Sequence, residues 1–120
     1  MPTAHVLVVE DEQDIREFVE LVLVGEGYHV STAENGADAL DRLQHEPVDL
    51  ILLDMRMPVM DGWAFANAYR SRPGPHAPIV VLTAAQDAAT RAAQIQAQDH
   101  LAKPFDIDDL VALVARYSAA

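Results

Sequence analysis

The sequence predicts an α/β fold, a parallel five-stranded sheet with helices on both faces, and three observations predict it. Short apolar runs at His5–Val9, residues 48–53 and residues 79–82 are nearly continuous and rich in aliphatic residues, as strands covered on both faces require. Segments with helical apolar spacing separate them. The two patterns alternate five times with short connections, which argues for crossover units and a parallel sheet.

The elements follow in order. After the first strand, Ile15, Phe18, Val19 and Val22 repeat at helical spacing. Residues 28–33 alternate and predict a second strand nearer an edge. Leu40 and Leu43, after Asn35-Gly36, mark a second helix. Residues 48–53 form the third strand, and Phe65, Ala68 and Tyr69 after Asp61-Gly62 mark a third helix that starts near Trp63. Trp63 suits a packing role and also a fluorescent report on its surroundings. Residues 72–78, with three prolines and Gly74, form a loop. The fourth strand is residues 79–82. Residues 84–98 are the poorest helix, rich in Ala and Gln, with Ile95 as the only large aliphatic side chain. A weak fifth strand lies at residues 100–102. Ile107, Leu110, Val111 and Val114 mark the last helix, with Asp106 as its expected N-cap.

The 120 residues fit one domain over 1–120, and 51% hydrophobic content is enough for a core. A net charge of −11 argues against direct contact with nucleic acid or anionic lipid and favours cations and basic partner surfaces. There is no cysteine, so thiolate chemistry and disulfides are excluded. No basic leader precedes an apolar run and no run approaches the roughly 20 residues that span a bilayer. The expectation is a cytoplasmic protein.

In an open α/β sheet, ligands bind beyond the carboxyl ends of the strands. There the sequence places Glu10-Asp11-Glu12, Asp54, Thr83 and Lys103 in turn. Each has an ordinary reading: helix-start acids, a turn aspartate, a cap threonine, a solvated lysine. Glu10, Asp11, Asp54, Thr83 and Lys103 together put three carboxylates, a hydroxyl and an ammonium on one rim. Crowded carboxylates need a cation. Hard oxygens suit Mg²⁺ bridged to a phosphate, and an aspartate can be a nucleophile that forms an acyl phosphate. Lys103 and the metal would steady the transferring oxygens, with Thr83 hydrogen-bonded to one. Lys103 is the only lysine, against seven arginines. A compact ammonium in place of the guanidinium fork suits a point contact to phosphate or carboxylate. His5, His29, His45 and His76 lack ligand spacing and read as structural or exposed.

Residues 8–12 (Val-Val-Glu-Asp-Glu), 53–62 (Leu-Asp-Met-Arg-Met-Pro-Val-Met-Asp-Gly), 82–84 (Leu-Thr-Ala) and 103–105 (Lys-Pro-Phe) resemble the receiver domain of bacterial two-component response regulators. The resemblance covers the whole chain. It implies a flavodoxin-like, doubly wound sheet in order 2-1-3-4-5 flanked by five helices. It implies that Asp54 takes a phosphoryl group from a sensor histidine kinase or a histidine phosphotransfer protein. Asp11, Asp54 and the backbone carbonyl of Arg56 would ligate Mg²⁺, with Glu10 acting through metal-bound water. Thr83 and Lys103 would bind the phosphoryl oxygens, and the Lys103-Pro104 bond would be cis. Phosphorylation would draw Thr83 inward and remodel the face of the fourth helix, fifth strand and fifth helix. Beyond self-phosphorylation and autodephosphorylation, no enzyme activity is implied. The output would pass to a downstream effector or an output domain that these residues lack, since nothing of the kind follows Tyr117. Phosphorylation-dependent homodimerisation is compatible with the resemblance.

The chain departs from the family at three points. His100 stands where the switch aromatic, Tyr or Phe, usually lies. Gln96-Ala97 replaces the usual Gly-Ala. The spacing from Thr83 to Lys103 is slightly short, which predicts a shortened or loosely packed fourth helix. Arg56 and Ala85, each two residues after a site residue, flank the pocket mouth in the family. Three rivals stand against this reading. A haloacid-dehalogenase-type phosphohydrolase would need a second acid where Arg56 stands. A flavodoxin-like cofactor binder would need a phosphate-cradling loop in place of Glu10-Asp11-Glu12. A degenerate receiver, acting only as an interaction or dimerisation module, would be expected to have lost pocket residues.

Overall fold

The computed structural model describes residues 4–84 and 86–118; Ala85 lies outside the described residues. Five strands and five helices alternate: β1 (His5–Val9), α1 (Gln13–Gly25), β2 (His29–Ala33), α2 (Gly36–His45), β3 (Leu50–Asp54), α3 (Gly62–Arg70), β4 (Ile79–Ala84), α4 (Ala88–Gln94), β5 (Asp99–Lys103) and α5 (Ile107–Ser118). All pairings are parallel, in the order β2-β1-β3-β4-β5. The alternating segment is an edge strand as expected. The topology is the flavodoxin-like order that the resemblance implies.

Side chains of successive strand residues point to opposite faces, so the sheet has two cores. Val6, Val8, Leu50, Leu52, Val80 and Leu82 pack with Val19 and Leu23 of α1 and Leu110 and Val114 of α5. Leu7, Val9, Ile51, Leu53, Ile79 and Val81 pack with Ala39 of α2, Phe65 and Tyr69 of α3, and Ala92 of α4. Near-continuous apolar strands follow directly from this double coverage.

Three strands run further than the apolar runs suggest. β3 includes Asp54, β4 includes Thr83 and Ala84, and β5 includes Lys103. Asp54 is in register with Leu82, Thr83 with Ala102, and Ala84 with Lys103. Backbone pairing continues past the point where side chains stop being apolar. The reactive groups therefore stand on the ladder itself, more rigid than loop positions.

The second and third helices begin at true caps. Asn35 Oδ1 accepts from the Asp38 amide and Asp61 Oδ1 from the Ala64 amide, both at 2.9 Å. Asp106 precedes α5, and its backbone carbonyl accepts from the Leu110 amide at 3.1 Å. A Cβ on Gly62 would lie 2.8 Å from the Met55 Cα, so only glycine lets α3 start against the end of β3.

α4 is the shortest helix, seven residues, and rests on the sheet through small side chains, Ala88 and Ala92. It ends in a Schellman motif: the Ala97 amide donates to Ala92 O (2.9 Å) and the Gln96 amide to Ala93 O (3.2 Å). Gln96 occupies the left-handed position with φ +54°, where glycine carries no Cβ penalty. Arg70 donates to the carbonyls of Ile95 and Gln96 and so ties this turn to α3. Gln96→Gly is expected to stabilise the protein by roughly 0.5–1 kcal/mol, read as a higher urea midpoint at unchanged m. A lower midpoint would show that the Gln96 side chain contributes more than its backbone costs.

Candidate functional site

Glu10, Asp11, Asp54, Thr83 and Lys103 converge at the carboxyl ends of β1, β3, β4 and β5, as the sequence predicted. They reach one point because the register of a parallel sheet aligns strand ends that are far apart in sequence. Asp11, Asp54, Arg56, Thr83 and Lys103 line an open cleft of about 640 Å³, with Ile15, Phe18 and Phe105 on its apolar side. Glu10 lies fully buried beneath it, Asp54 is 5% exposed and Thr83 3%. Glu10, Asp11 and Asp54 each present a carboxylate oxygen within 4.8 Å of the others.

One cation answers these three acids. Lys103 Nζ donates to Glu10 Oε1 at 2.5 Å and lies 3.7 Å from Asp54 Oδ1. The expected role of Lys103 was toward phosphoryl oxygens; here it also compensates a fully buried carboxylate. Burial opposes the Lys103 charge, but the Glu10 hydrogen bond and the charges of Glu10 and Asp54 outweigh it and raise its pKa above 10.5. Asp54 is left poorly compensated. Burial first, and then the Glu10 charge, push its carboxyl up to about 8 against the opposing pull of Lys103.

The backbone completes the arrangement. The Arg56 amide donates to Asp54 Oδ1 at 3.3 Å and the Glu12 amide to Glu10 Oε2 at 3.2 Å. Lys103-Pro104 is cis, as the resemblance implied. Arg16 was not singled out by sequence. From the first turn of α1 its Nη1 donates to Glu10 O at 2.8 Å and more weakly to Asp11 O at 3.3 Å, which fixes the acidic loop. Its signal was present but weak: it is the only arginine in α1, one turn after three acids.

Other predicted positions fall elsewhere. His100 is exposed on β5, with Nδ1 3.9 Å from Asp99 Oδ1. Trp63 is at the start of α3, where its Nε1 donates to Gln94 Oε1 at 2.8 Å. His5 and His29, 24 positions apart in sequence, come together. Register pairs them across β1 and β2, at the opposite end of the sheet from Asp54, and their rings stack at 4.2 Å. His5 Nε2 shares a 2.7 Å hydrogen bond with Ser31 Oγ, which donates to Glu46 Oε2. Among the described residues no helix is long and apolar enough to cross a membrane.

The donor set fits a hard divalent cation. It offers oxygen ligands only, three carboxylates against one ammonium, with one side open to the cleft. Asp11, Asp54 and a backbone carbonyl could hold such an ion.

The family model described as response regulator receiver domain matches residues 6–115. The DNA-binding transcriptional regulator NtrC of Escherichia coli (strain K12) is 45% identical over 118 residues, 97% of this chain and 25% of that protein. The chain thus spans about a quarter of that relative's length. A putative response regulator from Chloroflexus aurantiacus has the same fold with a TM-score of 0.90 at 34% identity, covering 99% of this chain and 100% of that one. The receiver domain of the sensor histidine kinase PA1611 from Pseudomonas aeruginosa, with a magnesium ion coordinated in its active-site cleft, matches with a TM-score of 0.88 at 30% identity, covering 99% and 100%. The chain belongs to the family of response regulator receiver domains.

Proposed function

We propose that Asp54 is the phosphoryl acceptor of a phosphorelay, loaded by a phosphohistidine on a sensor kinase or phosphotransfer protein. The observation that carries this is the cluster itself: a buried strand-end carboxylate beside two further acids, with one ammonium in reach. An Asp54 oxygen attacks phosphorus, the phosphorus–nitrogen bond breaks, and the imidazole leaves with the electron pair. Lys103 Nζ is placed to balance charge on a phosphoryl oxygen, and the Thr83 hydroxyl to hydrogen-bond another.

The nucleophile must be ionised. Without a cation, burial and Glu10 keep the Asp54 proton on at neutral pH. A bound Mg²⁺ supplies the charge that favours the carboxylate and neutralises the phosphoryl oxygens. Asp11, Asp54 and the Arg56 carbonyl would hold it, with Glu10 behind Lys103. Water attack on the acyl phosphate regenerates Asp54, so the chain's own chemistry is limited to loading and loss of one phosphoryl group. Residues 1–120 act as one receiver domain in the cytoplasm. The readout is the α4, β5 and α5 face, which carries the exposed His100 on the strand next to that of Thr83, offered to a protein effector, an output domain or a second receiver.

Intact mass after incubation with Mg²⁺ and a small phosphodonor tests this. One added phosphate is expected on the wild type and none on Asp54→Asn. Failure of the wild type to gain phosphate with any donor would leave the degenerate, interaction-only receiver as the better reading.

A further inference from the structure

The Arg56 side chain has no part in the chemistry above, yet it lines the same cleft as Asp54, Thr83 and Lys103. Its Nη2 lies 3.8 Å from Asp87 Oδ2, and the same oxygen lies 3.9 Å from Arg91 Nη2. Asp87 precedes α4 but makes no side-chain capping bond there. Its carboxylate is divided between two guanidiniums, one at the cleft and one on α4. Neither contact is short.

Arg91 has an unused donor. Its Nε is buried and has no hydrogen-bond partner. Its guanidinium lies over Trp63, 4.8 Å from the ring centroid, and Trp63 in turn bonds Gln94. A carboxylate given wholly to Arg91 could engage Nε and Nη2 together, the fork geometry that makes arginine pairs strong. The hold of Arg56 on the same carboxylate opposes this. That hold is weak: the Arg56 side chain is two-thirds exposed and the pair is long and screened.

An acyl phosphate on Asp54 would carry about 1.5 to 2 negative charges, up to roughly one more than the ionised carboxylate it replaces, and would bring them out toward the mouth where Arg56 sits. The Arg56 amide is already bonded to Asp54, so its side chain need only turn about its own bonds to reach the new anion. We propose that Arg56, Asp87 and Arg91 form an ion-pair exchange that carries the charge state of Asp54 to α4. Phosphorylation draws Arg56 off Asp87, Asp87 closes on the Arg91 fork, and Arg91 resettles over Trp63. The three are positioning residues, and the inference rests on the phosphorylation of Asp54 proposed above. The buried side chains of α4 are the small Ala88 and Ala92, so little apolar area opposes such a change.

Trp63 is the only tryptophan, so its emission reads the exchange. Emission and intact mass are measured together, with Mg²⁺ and a small phosphodonor. The wild type is expected to show an emission shift proportional to phosphate gained. Asp87→Asn is expected to gain phosphate with loss of the shift. Arg56→Met is expected to emit, before phosphorylation, as the phosphorylated wild type does, and Arg56→Lys to restore the wild-type response. Asp87→Asn with the full shift per phosphate would overturn the exchange, as would a phosphorylated wild type with unchanged emission. A wild type that gains no phosphate defeats the phosphorylation reading, and this one with it.

Discussion

Without divalent cation, Asp54→Asn is expected to be more stable than the wild type at pH 8, by on the order of a few kcal/mol, and equal to it near pH 4. The sign follows from the site. The Asp54 carboxyl titrates near 3.8 when exposed and at about 8 in the fold, because of burial and then Glu10. Between those values the native state holds one proton more than the unfolded state. Stability contributed by that proton is present below 3.8 and lost as pH rises through about 8. The slope reaches about 1.4 kcal/mol per pH unit, so the ceiling over the interval is about 6 kcal/mol. Water entry at the exposed Asp11 side and relaxation of the rim reduce what is observed. An asparagine cannot ionise, so its curve lacks this decline. Saturating Mg²⁺ should narrow the difference, since a ligand of the native state at a hundredfold excess over its Kd adds about 2.7 kcal/mol. That increment should grow with pH, because the ion competes with the Asp54 proton, and it should shrink in Asp54→Asn. Urea denaturation from pH 5 to 8, in chelator and in Mg²⁺, checks all of this. Parallel curves for the two proteins in chelator would show that Asp54 is not the strained acid of the site.

The positions of the site residues were legible because each follows an apolar run, and parallel strands end together. Five strand–helix units in sequence therefore sufficed to bring Glu10, Asp11, Asp54, Thr83 and Lys103 to one rim. Their pairing was not legible. That Lys103 bonds Glu10, 93 residues away, depends on how far a lysine at the end of β5 reaches across β3 and β4 to the end of β1. Arg16 reaching back to Glu10 O, and Asp87 standing between Arg56 and Arg91, depend on rotamers that no periodicity encodes. The His5 and His29 stack follows from the β1–β2 register, which a short alternating strand specifies weakly on its own. The weak pattern at residues 84–98 did carry information. Its few apolar residues match a helix of seven residues, and the missing glycine appears as the left-handed Gln96.

Lys103→Met should be the most damaging single change at the rim. Glu10 is vulnerable to the loss: its carboxylate is buried, 2.5 Å from Nζ, and among the described residues the Glu12 amide at 3.2 Å is its backbone donor. Breaking a buried pair by removing one partner typically costs about 3–5 kcal/mol, because a charge is left without compensation. Here the orphaned charge also faces Asp54 and Asp11, so the cost in chelator should lie in that range. Mg²⁺ should recover part of it by restoring a cation to the acids. Glu10→Gln in the Lys103→Met background should recover most of it, and the double-mutant cycle then isolates the pair from the separate burial costs. Stability and chemistry separate at this point. The double variant keeps Asp54 but lacks the ammonium aimed at the phosphoryl oxygens, so its loading by a small phosphodonor should fall by about a hundredfold or more while the fold is restored. A double variant that folds well and loads at the wild-type rate would confine Lys103 to holding Glu10 in place.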